Sequence, residues 1–389
     1  MVRNASGILM SLRVLLVGNY GPDQQKSMFA FTTMLEHCMT ARKVSVEVFS
    51  PTRCLLPRGK KPRGFWKWLG YIDKFIISAF ILKRKAKEFD VIHICDHSNA
   101  MYTFFIKDKP SIVTCHDVLA IEAARDMIPG WNVGFTGKNF QRLIFIGLNR
   151  ADAVVCDSDY TKSHLQKLGW VGRHIAVAPI SLNDDFHPSD RSSIEKTLGQ
   201  VGMNVNDNYF IHVGSDLPRK NRLFVIKVFN ILRESYVKDN FKLLFVGPLM
   251  PEEMHNYIKE NKLDNFVSAM QDVPHEMLKN LYSGATGLIF PSLYEGVGWP
   301  IIEAQACGCP VFTSNKQPML EVGGSGAIYI DYLDENTAAN QIAAALSDLD
   351  SIRQRGFANC ERFSMEHMTA VYLAAYNSAM ESHECRKKS

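Results

Sequence analysis

Short apolar runs alternate along the chain with longer segments whose apolar residues recur at helical spacing. Strands that alternate with helices form parallel sheets, because each helix carries the chain back to the start of the next strand. The first series of predicted strands is Leu12–Val17, Val44–Phe49, Asp90–Ile94, Ser111–Thr114, Ala153–Cys156 and Ile175–Ala178. The second series is Phe210–Val213, Lys242–Val246, Phe266–Ala269, Leu288–Phe290, Val311–Thr313 and Ile328–Ile330. The pattern predicts an α/β protein with two Rossmann-like domains.

The segment 183–208 separates the two series. It is rich in Asn, Asp, Ser and Pro and lacks a long apolar run, which is typical of a linker with at most one helix, near 192–198. We therefore predict one domain over 1–182, a linker over 183–208 and a second domain over 209–364. Ligands of open α/β sheets bind beyond the carboxyl ends of the strands, so we expect the two domains to face a ligand-binding cleft.

Composition and charge narrow the class of protein. The 389 residues are 46% hydrophobic and 22% charged, which is an ordinary globular composition, and the formal charge of +4 is too small to indicate a nucleic-acid partner. The nine cysteines include no CxxC pair, and neither a signal-peptide pattern nor a long apolar run is present. These features predict a cytoplasmic protein with reduced thiols.

A loop and helix start follow the predicted strand Leu288–Phe290. In this segment Gly296 and Gly298 leave backbone N–H groups uncovered at the start of a helix, where a phosphate or a sugar hydroxyl binds well. Glu295 is predicted in the loop and Glu303 in the first helical turn, with Pro300 at the first helical position and Gly308 at the end. Either carboxylate could accept hydrogen bonds from a diol. The alternative is that Glu303 only complements the helix dipole and Glu295 is a solvated loop acid.

Two cations follow the predicted strand Phe210–Val213, in the sequence Gly214-Ser-Asp-Leu-Pro-Arg219-Lys220. Arg219 and Lys220 could bind a diphosphate, or they could simply begin a basic helix. In the other half of the chain, a loop with Gly21 follows the first strand, and it could be an ordinary turn or a phosphate-binding loop.

Three histidines lie near the ends of predicted strands: His93, His97 and His116, the last followed by Asp117. Their spacing matches no known zinc or non-haem iron motif, so we predict no metal site. A histidine near a strand is usually a hydrogen-bonded core residue. His116 and Asp117 could instead contact a sugar hydroxyl.

The sequence Glu295-x7-Glu303 followed by Ala-Gln-Ala-Cys-Gly-Cys-Pro resembles the E-x7-E segment of the retaining GT-B glycosyltransferases of family 4, also called group 1. The resemblance implies that Glu295 contacts the donor sugar and Glu303 the nucleotide ribose. It also implies a donor-binding set and a catalytic set. The donor-binding set is Gly21, Arg219, Lys220, Val273, Glu295, Gly296, Val297, Gly298 and Glu303, and the catalytic set is His116, Asp117 and Glu295. The chain departs from many relatives at Ser215, where an arginine is usual.

The resemblance implies a GT-B transferase that moves a sugar, of the hexosyl type, from a UDP-, GDP- or ADP-sugar to a saccharide or lipid-linked acceptor, with retention of configuration. The first domain would then be the acceptor side, and a C-terminal helix over about 365–380 would pack back on it. No cofactor or metal is expected, because cations and a helix dipole can stabilise the leaving diphosphate. Two alternatives are a nucleotide-sugar epimerase, which should lack the combined motifs, and a two-domain sugar-binding protein, which should carry a secretion signal.

The segment 58–87 combines clustered cations with aromatic residues. Ten Lys and Arg side chains stand against the single acid Asp73, and Phe65, Trp68, Ile72, Ile76 and Phe80 recur at helical spacing. The pattern predicts an amphipathic helix over 64–87 that contacts an anionic membrane at the cytoplasmic face. The alternative is a domain helix whose apolar face is core.

Overall fold

Each of the two predicted strand series forms a parallel sheet of its own. We describe the protein from a computed structural model that covers residues 2–3, 9–10, 12–182, 185–237 and 241–388. The chain divides into a first unit, which runs to Ile180 and resumes at Met365, and a second unit from Ser181 to Ser364.

The first unit contains a parallel sheet between helices. Its strands are β1 (Val2–Arg3) and β2 (Leu9–Met10), an antiparallel pair, and then β3 (Arg13–Val17), β4 (Ser45–Phe49), β5 (Val91–Ile94), β6 (Ser111–Cys115), β7 (Ala153–Cys156) and β8 (Ile175–Val177). The sheet order is β4-β3-β5-β6-β7-β8. Its helices are α1 (Lys26–Ala41), α2 (Trp66–Ile72), α3 (Ser78–Lys85), α4 (Leu119–Ala124), α5 (Phe135–Arg150) and α6 (Asp159–Lys167). Short 3-10 turns span Gly21–Asp23, Ala86–Glu88 and His97–Phe104.

The second unit repeats this architecture. Its strands are β9 (Asn208–Val213), β10 (Phe241–Val246), β11 (Val267–Met270), β12 (Gly287–Phe290), β13 (Val311–Ser314) and β14 (Ala327–Ile330), in the order β11-β10-β9-β12-β13-β14. Its helices are α7 (Arg191–Gln200), α8 (Arg222–Leu232), α9 (Glu252–Glu260), α10 (His275–Gly284), α11 (Trp299–Ala306), α12 (Met319–Gly323), α13 (Glu335–Ala345) and α14 (Leu349–Cys360). Apart from β1 and β2, the described strands agree closely with the predicted ones, so the predicted fold class of two parallel α/β domains is confirmed.

The last helix, α15 (Met365–Lys388), packs on the sheet of the first unit and is longer than predicted. Tyr372 and Tyr376 on this helix are fully buried. The Tyr376 hydroxyl lies 2.9 Å from Nδ1 of His93, and the Tyr372 hydroxyl lies 3.0 Å from the hydroxyl of Thr114. These hydrogen bonds to β5 and β6 fix the register of the helix on the sheet.

The segment predicted as a linker is part of the second unit. Residues 183 and 184 lie outside the described ones, but the following residues pack on α10. The backbone N–H of Ser189 donates to the hydroxyl of Ser283 over 3.0 Å, and the amide of Asn280 donates to the hydroxyl of Thr197 over 3.0 Å. The described part of the predicted linker therefore groups with the second unit, and it contains one helix, α7, close to the predicted position 192–198.

The basic aromatic segment forms one helical segment over 66–88, called here the 66–88 helix. It consists of α2, a π turn over Asp73–Ile77, α3 and a 3-10 turn. The carboxylate of Asp73 is buried and accepts hydrogen bonds from the Tyr20 hydroxyl at 2.9 Å and from the backbone N–H of Leu55 at 2.7 Å. Within the described ranges, none of the helices combines the length and apolar character that crossing a bilayer requires.

Helix α5 lies so close to the turn His97–Phe104 that only a glycine fits at the contact. A Cβ atom placed on Gly147 would lie 2.5 Å from the carbonyl oxygen of Ala100. We expect Gly147→Ala to lower the free energy of unfolding by about 1–3 kcal/mol, because the backbone would have to move apart.

Chemical denaturation measures this effect, and Gly199→Ala in α7 is the matched control. A Cβ atom at Gly199 meets nothing within 4 Å, so that change should stabilise the protein by about 0.5–1 kcal/mol. Equal responses of the two variants would contradict the close packing of α5.

Candidate active site

A buried ion-pair cluster links the loops that follow β9 and β12. The Nζ atom of Lys220 lies 2.6 Å from Oε1 of Glu295, and Nη1 of Arg219 lies 2.7 Å from Oε2 of the same carboxylate. Glu295 and Lys220 are 5% and 8% exposed, so both charges are held inside the protein. The structure thus brings together Arg219, Lys220 and Glu295, three residues that were predicted to bind the same donor molecule.

Backbone geometry fixes these side chains. Arg219 and Lys220 lie in a 3-10 turn that ends at Asn221, whose φ of 56° is left-handed. The carbonyl of Arg219 accepts a hydrogen bond of 2.7 Å from the backbone N–H of Leu293, which joins the two loops directly. The Lys220 ammonium also lies 4.8 Å from the ring centroid of Phe290 at the end of β12.

The charges in this cluster perturb one another. Burial by itself raises the pKa of the Glu295 carboxyl, but Lys220 and Arg219 outweigh burial and hold that pKa below its ordinary value. Burial lowers the pKa of Lys220, and the attraction of Glu295 opposes this change. Glu295 therefore stays ionised at neutral pH and compensates the two cations beside it.

The glycine-containing loop leads into α11, where Pro300 has no N–H group and the N–H of Ile301 donates to the carbonyl of Gly298 over 2.9 Å. Gly298 is the N-cap residue and has φ of 103°, a left-handed conformation that glycine adopts readily, while Val297 is 5% exposed. The helix begins at Trp299, so Pro300 occupies its second position and not the predicted first. Gly308, with φ of 73°, follows the end of the helix as predicted.

Glu303 is the fifth residue of α11, so the prediction that it lies in the first turn is wrong. The helix begins at Trp299, one residue before the predicted start at Pro300, and Glu303 therefore lies just beyond its first turn. The Tyr282 hydroxyl on α10 donates to Oε2 of Glu303 over 3.1 Å. Burial raises the pKa of Glu303 to about 7, and the hydrogen bond from Tyr282 and the charge of Lys220 reduce this effect only in part. Glu303 therefore takes part in a side-chain hydrogen bond. Because it lies beyond the first turn of α11, where the helix dipole acts most strongly, the alternative that it only complements the dipole is disfavoured.

The remaining donor-site candidates lie in the loops at strand ends. Val273 is half-buried between β11 and the start of α10, next to Asp272 with its left-handed φ of 48°. Gly296 lies between Glu295 and Val297 in the loop before α11. Gly21 lies in the first unit, in the 3-10 turn after β3, and a Cβ atom there would meet nothing within 4 Å.

His116 follows β6 directly, and both of its ring nitrogens have partners. Nδ1 lies 2.5 Å from Oδ2 of Asp157, and Nε2 lies 2.8 Å from the carbonyl oxygen of Cys95. Burial alone would lower the pKa of His116, but Asp157, assisted by Asp96, raises it to about 9. Both ring nitrogens thus face oxygen acceptors, an arrangement that suits the protonated ring, while burial raises the pKa of the Asp157 carboxyl as well.

Asp117, half-buried, accepts a hydrogen bond of 3.0 Å from the backbone N–H of Leu119 at the start of α4. His93 is a buried core residue bonded to Tyr376 and Thr114, and burial lowers its pKa to about 3. Among the described residues, no three His, Cys, Asp or Glu side chains gather where they could bind one metal ion.

Sequence reasoning missed several polar partners. Asp157 follows β7 directly, and Asp96 follows β5, where it accepts a hydrogen bond of 2.6 Å from the amide of Asn19. A search for polar residues after every predicted strand would have found these three. Tyr282 carries no such signal, because its contact with Glu303 depends on how α10 packs against α11.

Comparison with known proteins identifies the family. The model of the group 1 glycosyl transferases matches residues 193–358, and that of glycosyltransferase family 4 matches residues 30–186. The chain belongs to the family 4, group 1 glycosyltransferases. It is 26% identical over 273 residues to O-antigen chain mannosyltransferase B of Escherichia coli, with 68% of this chain and 70% of the relative covered. It is 33% identical over 170 residues to O-antigen chain mannosyltransferase RfbU of Salmonella typhimurium, with 43% of this chain and 47% of the relative covered.

Solved structures show that this glycosyltransferase has the GT-B fold. Sucrose-phosphate synthase from Thermosynechococcus elongatus superposes with a TM-score of 0.73 at 17% identity, covering 95% of this chain and 100% of that one. HepE from Anabaena, in complex with UDP and glucose, gives a TM-score of 0.72 at 16% identity, covering 94% of this chain and 100% of that one. At these identities the likeness establishes the fold and not the substrate.

The raised pKa of Glu303 predicts a pH-dependent stability. The folded protein holds the carboxyl proton up to about pH 7, whereas the ordinary pKa is 4.5, so the contribution of Glu303 to the free energy of unfolding falls as the pH rises between these values. We expect Glu303→Gln, which keeps an acceptor for Tyr282, to gain stability relative to wild type over the same range.

Urea denaturation at several pH values measures the difference between the two proteins. Asp207→Asn, which changes a surface ion pair with Lys242 in the same unit, is the control for altered charge. A constant difference between Glu303→Gln and wild type across the range would show that the Glu303 pKa is not raised.

Proposed function

We propose that this glycosyltransferase moves a hexosyl group from a nucleotide-sugar donor to a saccharide or lipid-linked acceptor, with retention of configuration and without a metal ion. The observation that carries the proposal is the buried cluster of Lys220, Arg219 and Glu295 beside the start of α11. Two cations and the N-terminal end of α11 suit a diphosphate, and a fixed carboxylate suits sugar hydroxyls.

The cluster also supplies positive charge, which the donor nucleotide requires when it leaves as a diphosphate. When the bond between the sugar and the diphosphate breaks, its electrons remain on the diphosphate oxygen, where negative charge develops. Lys220, Arg219 and the N-terminal end of α11 are already ordered, so they can stabilise this charge with little reorganisation. This is the reason for proposing transfer without a metal ion.

Relatives support a nucleotide-sugar donor and a polymer or glycolipid product. Two are named O-antigen chain mannosyltransferases, and a third is named for transfer from UDP-galactose to a diphosphoundecaprenol-linked acceptor. None of these names describes an epimerase or a sugar-binding receptor, so both alternatives are less favoured. We infer that the acceptor is a saccharide or a lipid-linked saccharide.

On the first unit, we propose His116 and Asp117 as the sugar-side residues and Gly21 as part of the loop next to the donor phosphates. The contacts of His116 with Asp157 and with the carbonyl of Cys95 hold its ring at the end of β6, next to Asp117. We also infer a peripheral position at the cytoplasmic face of a membrane, with the 66–88 helix in contact with anionic lipid.

The proposed reaction predicts release of nucleoside diphosphate that depends on the acceptor and survives metal removal. We expect incubation with UDP-, GDP- and ADP-sugars to give the free diphosphate with one donor class and to give no isomerised donor. Chromatography of the nucleotides measures this, and proton NMR of the product reports its anomeric configuration.

Loss of turnover in excess chelator that magnesium or manganese restores would overturn the metal-independent step. Inversion at the anomeric carbon would overturn retention. An isomerised donor without transfer would support the epimerase.

The two glutamates predict separable effects on the donor. If Glu303 accepts hydrogen bonds from the ribose, Glu303→Gln should weaken the bare nucleoside diphosphate and the intact donor alike, by about 1.5–3 kcal/mol. Glu295→Gln removes the anion that neutralises Lys220 and Arg219, so the bare diphosphate should bind at least as tightly as before. Turnover of the intact donor should fall, because the contact with the sugar is lost in the transition state.

Calorimetric titration of each variant with both ligands measures the effects, after melting curves establish that each variant is folded. Asp207→Asn is the matched control, since it alters a carboxylate in a surface ion pair with Lys242. Equal losses of diphosphate affinity in the two glutamate variants would contradict the assignment.

A further inference from the structure

The first unit exposes large apolar side chains on two helices. On the 66–88 helix and the residue before it, Phe65 is 72% exposed, Trp68 58%, Ile76 51% and Phe80 60%. On α5, Phe135 is 82% exposed, Leu143 44% and Ile146 39%, and their spacing places them on one face of the helix. These seven side chains are called the apolar surface. The prediction from sequence covered only its first half.

Aromatic contacts join the two helices. The ring of Tyr71 stacks on that of Phe140 with 5.4 Å between centroids, and the ring of Phe75 lies 5.5 Å from Phe140. Trp68 in turn lies 6.0 Å from Tyr71. The two helices therefore contact each other, and both present exposed apolar side chains on the first unit.

Cations outnumber acids on the two helices, although Lys85 pairs with Glu47 and Glu88 is exposed at the end of the 66–88 helix. Helix α5 carries Lys138, Arg142 and Arg150 and has no Asp or Glu in its sequence. Segment 58–87 has one acid, Asp73, and that carboxylate is buried under hydrogen bonds from Tyr20 and Leu55. Such a surface is complementary to an anionic partner.

A cavity of about 330 Å³ opens between α4 and α5, lined by Ile121, Ala124, Arg125, Lys138, Gln141, Arg142 and Phe145. Arg125 is held by a hydrogen bond of 2.7 Å to the carbonyl of Leu168 and lies 4.5 Å from the ring centroid of Phe145. Lys138 pairs with Asp126 over 2.6 Å, so the cations at the cavity are only partly neutralised. An apolar wall with three cations suits a phosphate group attached to an apolar chain.

We propose that the apolar surface and this cavity together dock the first unit on a bilayer that contains anionic phospholipid. The exposed aromatic and aliphatic side chains enter the headgroup region, and the cavity binds a headgroup phosphate. A bilayer fits better than a protein partner, because protein interfaces are poor in lysine, whereas amphipathic helices at membranes combine aromatic residues with lysine and arginine. The inference rests on the membrane contact in the proposed function and adds α5 and the cavity to it.

Sedimentation with vesicles tests the inference, using phosphatidylcholine alone and phosphatidylcholine mixed with phosphatidylglycerol. The α5 variant carries Phe135→Ser, Leu143→Ser and Ile146→Ser, and we expect its partition onto the mixed vesicles to fall about tenfold. Arg142→Gln should weaken binding to the mixed vesicles roughly fivefold and leave any binding to neutral vesicles unchanged.

A matched control carries Val171→Ser, Leu249→Ser and Leu333→Ser, which are 83%, 73% and 72% exposed and lie outside the apolar surface. It should sediment like wild type. The proposal would be overturned if wild type did not sediment with the mixed vesicles. It would also be overturned if the α5 variant bound these vesicles like wild type while the double variant Trp68→Ser, Phe80→Ser lost binding. Inorganic phosphate binding that Arg142→Gln abolishes without changing vesicle binding would also overturn it. Titration of the same variants with nucleoside diphosphate, without vesicles, reports separately on the proposed function.

Discussion

Lys220 is buried, and the charge on its ammonium group must be compensated inside the protein. Glu295 provides the compensation at 2.6 Å, and the same carboxylate also holds Arg219. Removing one partner of such a pair leaves an uncompensated charge, which costs about 3–5 kcal/mol. The loops after β9 and β12 are therefore tied to each other by charge and by the backbone hydrogen bond from Leu293. The start of α11 is positioned by the second of these loops.

The carboxylate of Glu295 also determines how much positive charge Lys220 and Arg219 can offer to a donor. The positive charges that we propose for the diphosphate are neutralised by Glu295 from within the chain, so an incoming anion must share them. The pKa of Glu295 is held low by this contact, and the carboxylate remains an acceptor for hydroxyl groups. A donor carries both a diphosphate and hydroxyls, and it can therefore satisfy the cations and Glu295 together, which a simple anion cannot do.

The sequence predicted the strands well and the contacts between helices poorly, for a physical reason. Strands in a buried parallel sheet are short apolar runs bounded by polar residues, and the local pattern contains that information. The partner of Glu303 is Tyr282, and the partners of segment 185–208 are Asn280 and Ser283, all on α10. Those contacts depend on helix packing, so no local pattern shows them. Polar residues that directly follow a strand are easier to predict than contacts between helices but harder than the strands themselves. His116 was predicted in this way, and Asp157, which also directly follows a strand, could have been.

The exposed side chains of α5 have a structural consequence of their own. A helix can present apolar residues to an interface only if its other face is anchored firmly in the domain. Gly147 lets α5 approach the backbone of Ala100 closely, and Ile144 and Leu148 beside it are almost fully buried. Because this buried face is fixed, the opposite face with Phe135, Leu143 and Ile146 cannot turn inward to reduce its contact with water. Covering that face therefore requires a partner from outside the unit, and the cations on the same helix favour an anionic one.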